Sequence, residues 1–237
     1  MLSMNKQVRY KETDKMSDLI CGNYSLLLVM SRFGLTLGFG DKTVKEVCLQ
    51  NNVDYKTFLA VVNFLEDDHI RDEEDFKDLS VSSLMAYLKQ AHSYFLDFKL
   101  PAIRNKMMEA IDCSEDEVAA LILKFYDEYV KEVRKHMEYE DKTVFNYVAS
   151  LLNKEYPTSA NYQIGIFAKR HNQIEARLTE LKNIIIKYYP ANANNNLLNA
   201  VLFDIYSCEQ DLASHCRVED YMFVPAVFRL ERNSDEK

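Results

Sequence analysis

The sequence predicts an all-α protein: an antiparallel up-and-down four-helix bundle preceded by a small helical N-terminal domain. Three observations carry this expectation. Apolar residues recur at three- and four-residue spacing almost throughout, with no sustained alternation of the kind a half-buried strand requires. Glycine and proline are scarce, five and four in 237 residues, and of the glycines only Gly165 lies beyond the first forty positions. The breaks that do occur divide the later part of the chain into four long segments.

Taken in order, short helices are expected at about 17–33, 43–50 and 55–66, with the glycine-bearing turn FGLTLGFGDKT after the first. The acidic stretch EDDHIRDEEDFKD (66–78) reads as a solvated linker. Long helices follow at roughly 80–112, 115–154, 159–187 and 194–230, separated by DCSED, by EYPTS with Pro157 and by YYPANANNN with Pro190. Ser80, Ser114 and Ser159 fit N-cap positions, and Ser114 with Glu117 has capping-box spacing. Pro101 and Pro225 fall inside helical patterns and should kink them. The expected domains are therefore 1–68 (small helical), 69–79 (linker), 80–232 (bundle) and 233–237 (tail).

Composition narrows the function. With 48% apolar residues a sizeable core is affordable. A net charge of −8 disfavours nucleic acid, which needs a basic face. The start, MLSMNKQVRYKETDK, has no apolar signal core, and the most lipid-like run, LICGNYSLLLVM (19–30), is too short to span a bilayer, so no membrane partner is expected. Five cysteines (21, 48, 113, 208 and 216) form no CxxC pair and leave an odd count, which suits thiols in a reducing cytoplasm.

The histidines carry the chemistry. His92 and His136 are 44 residues apart, and so are His171 and His215, so the second half of the bundle repeats the first with an offset of 79. Glu140 and Glu219 share that offset, as do Asp141 and Asp220, and Glu132 and Asp211. In HMEYEDKTVF (136–145) and HCRVEDYMFV (215–224) a histidine is followed four residues on by a glutamate, which helix geometry puts on the same face. One such pair means little, since an exposed i,i+4 pair is usually a weak surface interaction. His69 with Glu73 has the same spacing inside the acidic segment, off any apolar face, and carries no weight. Four histidines, one per helix and at matched distances from the turns, are different: in an antiparallel bundle they share one level, and burying them with two carboxylates is costly unless something satisfies them.

A metal centre would do so. The candidate ligands are His92, His136, Glu140, His171, His215 and Glu219. Six nitrogen and oxygen donors without a thiolate are too many for one tetrahedral zinc. They suit iron, or manganese, and carboxylates on opposing helices are placed to bridge two ions. Two nitrogens and two oxygens per iron leave room for an oxo or hydroxo bridge and for water, O₂ or NO.

These motifs resemble the hemerythrin-like, HHE cation-binding bundle, and within it the di-iron iron–sulfur cluster repair proteins (the repair-of-iron-centres family). That branch has an LP step after its first histidine and an F/V-P step after its last glutamate; here these are Leu100-Pro101 and Val224-Pro225. The resemblance covers about residues 15–230 and implies the same six ligands, with both glutamates bridging. Glu132 matches a family carboxylate near the centre, a candidate for the outer shell or for proton and iron passage; Asp211 is its repeat counterpart. Glu175, four residues after His171, is an outer-shell or surface candidate, because its equivalent after His92 is Leu96. No residue is assigned a catalytic step. RFGLTLGFGDKTVKEVCLQNNVDYKTFLAVVNFL resembles the family's N-terminal domain, but Thr36-Leu37 stand where the family usually has adjacent cysteines, and Cys48 is the thiol that remains. The resemblance implies a cytoplasmic stress-defence protein that supplies iron to damaged iron–sulfur proteins and binds or reduces NO, with a homodimer left open. Two other readings stand beside it: an O₂, NO or redox sensor or carrier of hemerythrin type, and a helical interaction protein with a structural metal.

Overall fold

The computed structural model describes residues 9–66, 78–111, 117–154, 163–167, 174–189 and 195–235. They are helical, and no strand forms among them; one isolated bridge joins Lys15 and Thr43. No described helix is long and apolar enough to cross a membrane.

The first expected helix divides in two, α1 (Met16–Gly22) and α2 (Leu26–Arg32). Asn23 leaves helical geometry (φ −146°, ψ 109°), and its side-chain oxygen accepts from the Ser25 amide at 2.9 Å and hydroxyl at 2.6 Å. Asparagine competes for backbone groups in this way, which is why it ends a helix that periodicity alone would continue. In the following turn Gly34, Gly38 and Gly40 have φ of +73°, +93° and +64°, a region that side chains rarely tolerate. Thr43 and Glu46 form a reciprocal capping box on α3 (Val44–Gln50). Asp54 accepts from the Thr57 amide at the start of α4 (Tyr55–Glu66). Ser80 caps α5 (Val81–Ser93), accepting from the Ser83 amide at 3.2 Å. The cap positions Ser114 and Ser159 and the breaks at Pro157 and Pro190 lie outside the described residues.

Three of the long helices contain a π-helical turn. Tyr94–Lys99 joins α5 to α6 (Leu100–Ala110), Glu140–Val144 joins α7 (Glu117–Tyr139) to α8 (Phe145–Leu152), and Glu219–Phe223 joins α10 (Asn195–Val218) to α11 (Val224–Asp235). The kinks expected at Pro101 and Pro225 take this form. A proline lacks the amide for the i−4 carbonyl and crowds it, and a widened turn upstream absorbs both. The third long helix departs from expectation: it does not run unbroken from 159. Gln163 is extended (φ −131°, ψ 147°) and a 3₁₀ turn, Ile164–Ile166, includes Gly165, a weak helix former; α9 spans Ile174–Tyr188.

The chain forms two compact units: Met1–Gln90 with Leu151–Glu155 and Val218–Lys237, and Ala91–Ser150 with Tyr156–Arg217. In the first, Phe33 packs on Phe58 and Tyr87, with ring centroids 5.4 and 5.1 Å away. The buried Arg32 lies over the Tyr87 ring. In the second, α6, α7, α9 and α10 enclose a core that includes Ile103, Tyr126, Tyr129, Leu181 and Ile205. Contacts between α6 and α7 show their antiparallel register. Arg134 reaches the Leu96 carbonyl, Tyr126 donates to the Leu100 carbonyl at 2.8 Å, and Arg104 makes a two-point pair with Asp127. Lys99 and Lys106 both pair with Asp204, fastening the start of α6 to α10. Lys182 and Thr179 fasten α9 to Glu209.

Burial works against the charge of Asp204, but the bonds from Lys106 and Lys99 outweigh it and hold the carboxyl below its ordinary range. A carboxyl lowered on folding stabilises fully above its unfolded pKa and loses that contribution as pH falls through the folded value. Asp204→Asn should therefore cost about 1 kcal/mol at neutral pH in urea denaturation, and the gap to wild type should close as the medium is acidified.

Candidate metal centre

His92 lies in the last turn of α5, His136 in the last turn of α7 and His215 in the last turn of α10. A π turn begins just after each: at Tyr94, at Glu140 and at Glu219. The two candidate glutamates thus open their π turns. An inserted residue re-aims the side chains around it, which is why such turns gather at functional sites.

Glu140 stands between two imidazoles from different helices. Its Oε2 lies 3.0 Å from His92 Nε2, and its Oε1 lies 2.6 Å from His136 Nε2. The His92 and His215 rings meet edge to face with centroids 5.1 Å apart. Glu219 follows His215 by one turn of the same continuous helix. One ligand atom from each of His92, Glu140, His215 and Glu219 lies within 4.8 Å of the others, a set that can hold a metal ion. Both glutamates are 0% exposed, His92 is 1% and His215 2% exposed. The His136 side chain is 18% exposed.

The donor chemistry fits a cation. Two fully buried carboxylates this close repel each other and have lost their water, a combination that calls for positive charge between them. Imidazole nitrogen with carboxylate oxygen and no thiolate in the cluster is a donor set that divalent transition-metal cations accept. Phe145 stacks on His92 with centroids 5.5 Å apart, and Phe95 meets the edge of His215 at 5.9 Å, so apolar rings surround the donors.

The other predicted residues fall as follows. His171 lies outside the described residues, and Glu175 is in the first turn of α9. Glu132 is exposed on α7, where Oε1 pairs with Arg177 Nη1 at 2.9 Å. Asp211, one turn before His215, is half-buried. Cys48 is buried, and burial pushes its thiol up to about 12, so it is not a thiolate at neutral pH. One residue was given no role on sequence grounds. Asp141 accepts from His92 Nδ1 at 2.9 Å. The shared offset of Asp141 and Asp220 was the signal for it.

No curated protein matches the chain closely enough to count as a relative. The hemerythrin HHE cation binding domain matches residues 83–227, a stretch containing His92, His136, Glu140, His171, His215 and Glu219. That match takes in more than half of the 237 residues and agrees with the helical bundle and its histidine–glutamate cluster, so the chain belongs to the hemerythrin HHE cation-binding domain family.

Proposed function

We propose that this chain is a cytoplasmic non-haem di-iron protein that helps rebuild iron–sulfur clusters damaged by nitrosative or oxidative stress, supplying iron and binding or reducing NO. The observation that carries the two-ion reading is the position of Glu140. Each of its oxygens faces the Nε2 of a different histidine, as a carboxylate spanning two ions would. In this reading His92 and His215 would hold one iron and His136 and His171 the other, with Glu140 and Glu219 supplying the carboxylates. Bound there, iron supplies open positions for a diatomic ligand and a pool that can be passed on. The protein's own contribution is to fix the imidazoles, to neutralise charge with two buried carboxylates and to limit water with Phe95 and Phe145.

The repair role is supported by the Leu100-Pro101 and Val224-Pro225 steps and by the likeness of the first seventy residues to the repair family's N-terminal domain. Its clients would be damaged iron–sulfur proteins. A second reading, an O₂, NO or redox sensor or carrier of hemerythrin type, is favoured by Thr36-Leu37 in place of paired cysteines and by the raised Cys48 thiol.

Protein purified without oxygen should contain about two irons per chain. His136→Ala and His215→Ala should each lose one or both, and unchanged iron in both variants would overturn the ligand set. Reduced protein mixed with an apo-ferredoxin should lose iron as cluster absorbance recovers; reversible O₂ binding without iron loss would select the sensor instead. Metal should also stabilise the fold, by about 2.7 kcal/mol at a hundredfold excess over Kd. Thermal unfolding of Glu219→Gln should show little of that gain, and a gain equal to wild type would exclude Glu219 as a ligand.

A further inference from the structure

We infer that Asp141 is a positioning residue of the metal centre, locking the ring of His92 so that the His92–His215 side is the more firmly held of the two ion positions. This rests on the two-ion reading above. Glu140 and Asp141 are consecutive, yet each reaches a different nitrogen of one imidazole: Glu140 Oε2 is 3.0 Å from Nε2, and Asp141 Oδ1 is 2.9 Å from Nδ1. Neighbouring side chains on a helix point about 100° apart, so the pair closes on the ring from two directions. The π turn that starts at Glu140 carries both residues.

The consequence is chemical. A carboxylate only accepts, so the proton of a neutral His92 sits on Nδ1 and the lone pair on Nε2, where it faces the cluster. An outer carboxylate of this kind fixes ring orientation and raises the basicity of the ligating nitrogen. Packing adds to the restraint, because Phe145 stacks on one face of His92 and His215 abuts it edge-on. His92 and His215 are almost wholly buried, whereas the His136 side chain is 18% exposed. The His92–His215 side is therefore clamped and dry, while the His136 ring is only partly buried. Asp141 itself is 40% exposed, so it can be replaced without opening the core.

The test is a stepwise Co(II) titration of the full metal-free chain, read by the visible d–d bands. Asp141→Ala is compared with the conservative Asp141→Asn, whose amide oxygen still accepts, and with Glu138→Gln, a nearby carboxylate paired with Lys142. Circular dichroism should match wild type for all three. Wild type should bind two ions in two steps. Asp141→Ala should weaken the first step by about tenfold to a hundredfold and leave the second within about twofold. Asp141→Asn should fall in between, and Glu138→Gln should match wild type. Equal weakening of both steps, or an Asp141→Ala titration like that of Glu138→Gln, would overturn the role of Asp141. A wild type taking one ion would overturn the two-ion reading, while the Asp141→Ala shift on that ion would still uphold or reject the clamp. A wild type taking none would overturn both.

Discussion

Two glutamate carboxylates, Glu140 and Glu219, lie wholly out of solvent within a cluster whose ligand atoms are no more than 4.8 Å apart. Desolvating one carboxylate costs several kcal/mol, and a second nearby adds repulsion. His92 and His136 flank Glu140, each presenting Nε2 to one of its oxygens. A cation is the group that removes both penalties, and the other features of the bundle follow from the need to hold donors around it. Burial confines the donors to positions where helices face one another. The π turns aim them, and aromatic rings close off the surroundings.

The ion pairs of the second unit belong to the same account, though they are individually weak. Arg104 with Asp127 and the lysines on Asp204 lie partly exposed, where such pairs contribute little to stability, while Lys182 in its pair with Glu209 is buried. What they do fix is register. A slip of one turn between α6 and α7 moves facing residues about 5.4 Å, more than the whole 4.8 Å spread of the ligand atoms. It would break the Arg104–Asp127 pair and the Tyr126 bond to the Leu100 carbonyl at the same time. Specific alignment, rather than net energy, is the contribution of these contacts.

Much of this was legible in the sequence, for reasons that can be named. The all-α class followed from helical spacing and from the near absence of glycine after position 40. The shared level of His92 and His136 followed from their distances to the intervening turn, and both rings now face Glu140. The 79-residue repeat singled out His215 and Glu219, whose ligand atoms lie with those of His92 and Glu140 in one group. Three things were not legible. The split between α1 and α2 depends on the Asn23 side chain taking over backbone donors, which periodicity does not register. Prolines marked two of the π turns, but the one at Glu140–Val144 contains and precedes no proline, so no residue announces it. The Asp141 bond to His92 depends on that unannounced turn, and so the repeat could mark Asp141 without assigning it work.

The reading of Glu132 shows how geometry refines a motif. A carboxylate one turn before a ligand is close in sequence, but a turn is 5.4 Å along the axis, and side-chain direction decides what it meets. Glu132 is paired with Arg177 near the surface, whereas Asp141, adjacent to the candidate ligand Glu140, is bonded to His92. The carboxylate in direct contact with the ring of a candidate ligand is therefore the one placed to set that ring's orientation. The one at the surface can act on the centre only through α7 and α9, by holding those helices together. A reactive centre needs both kinds of support: a small ligand set leaves positions open for chemistry, and the fewer the donors, the more each depends on what holds it in place.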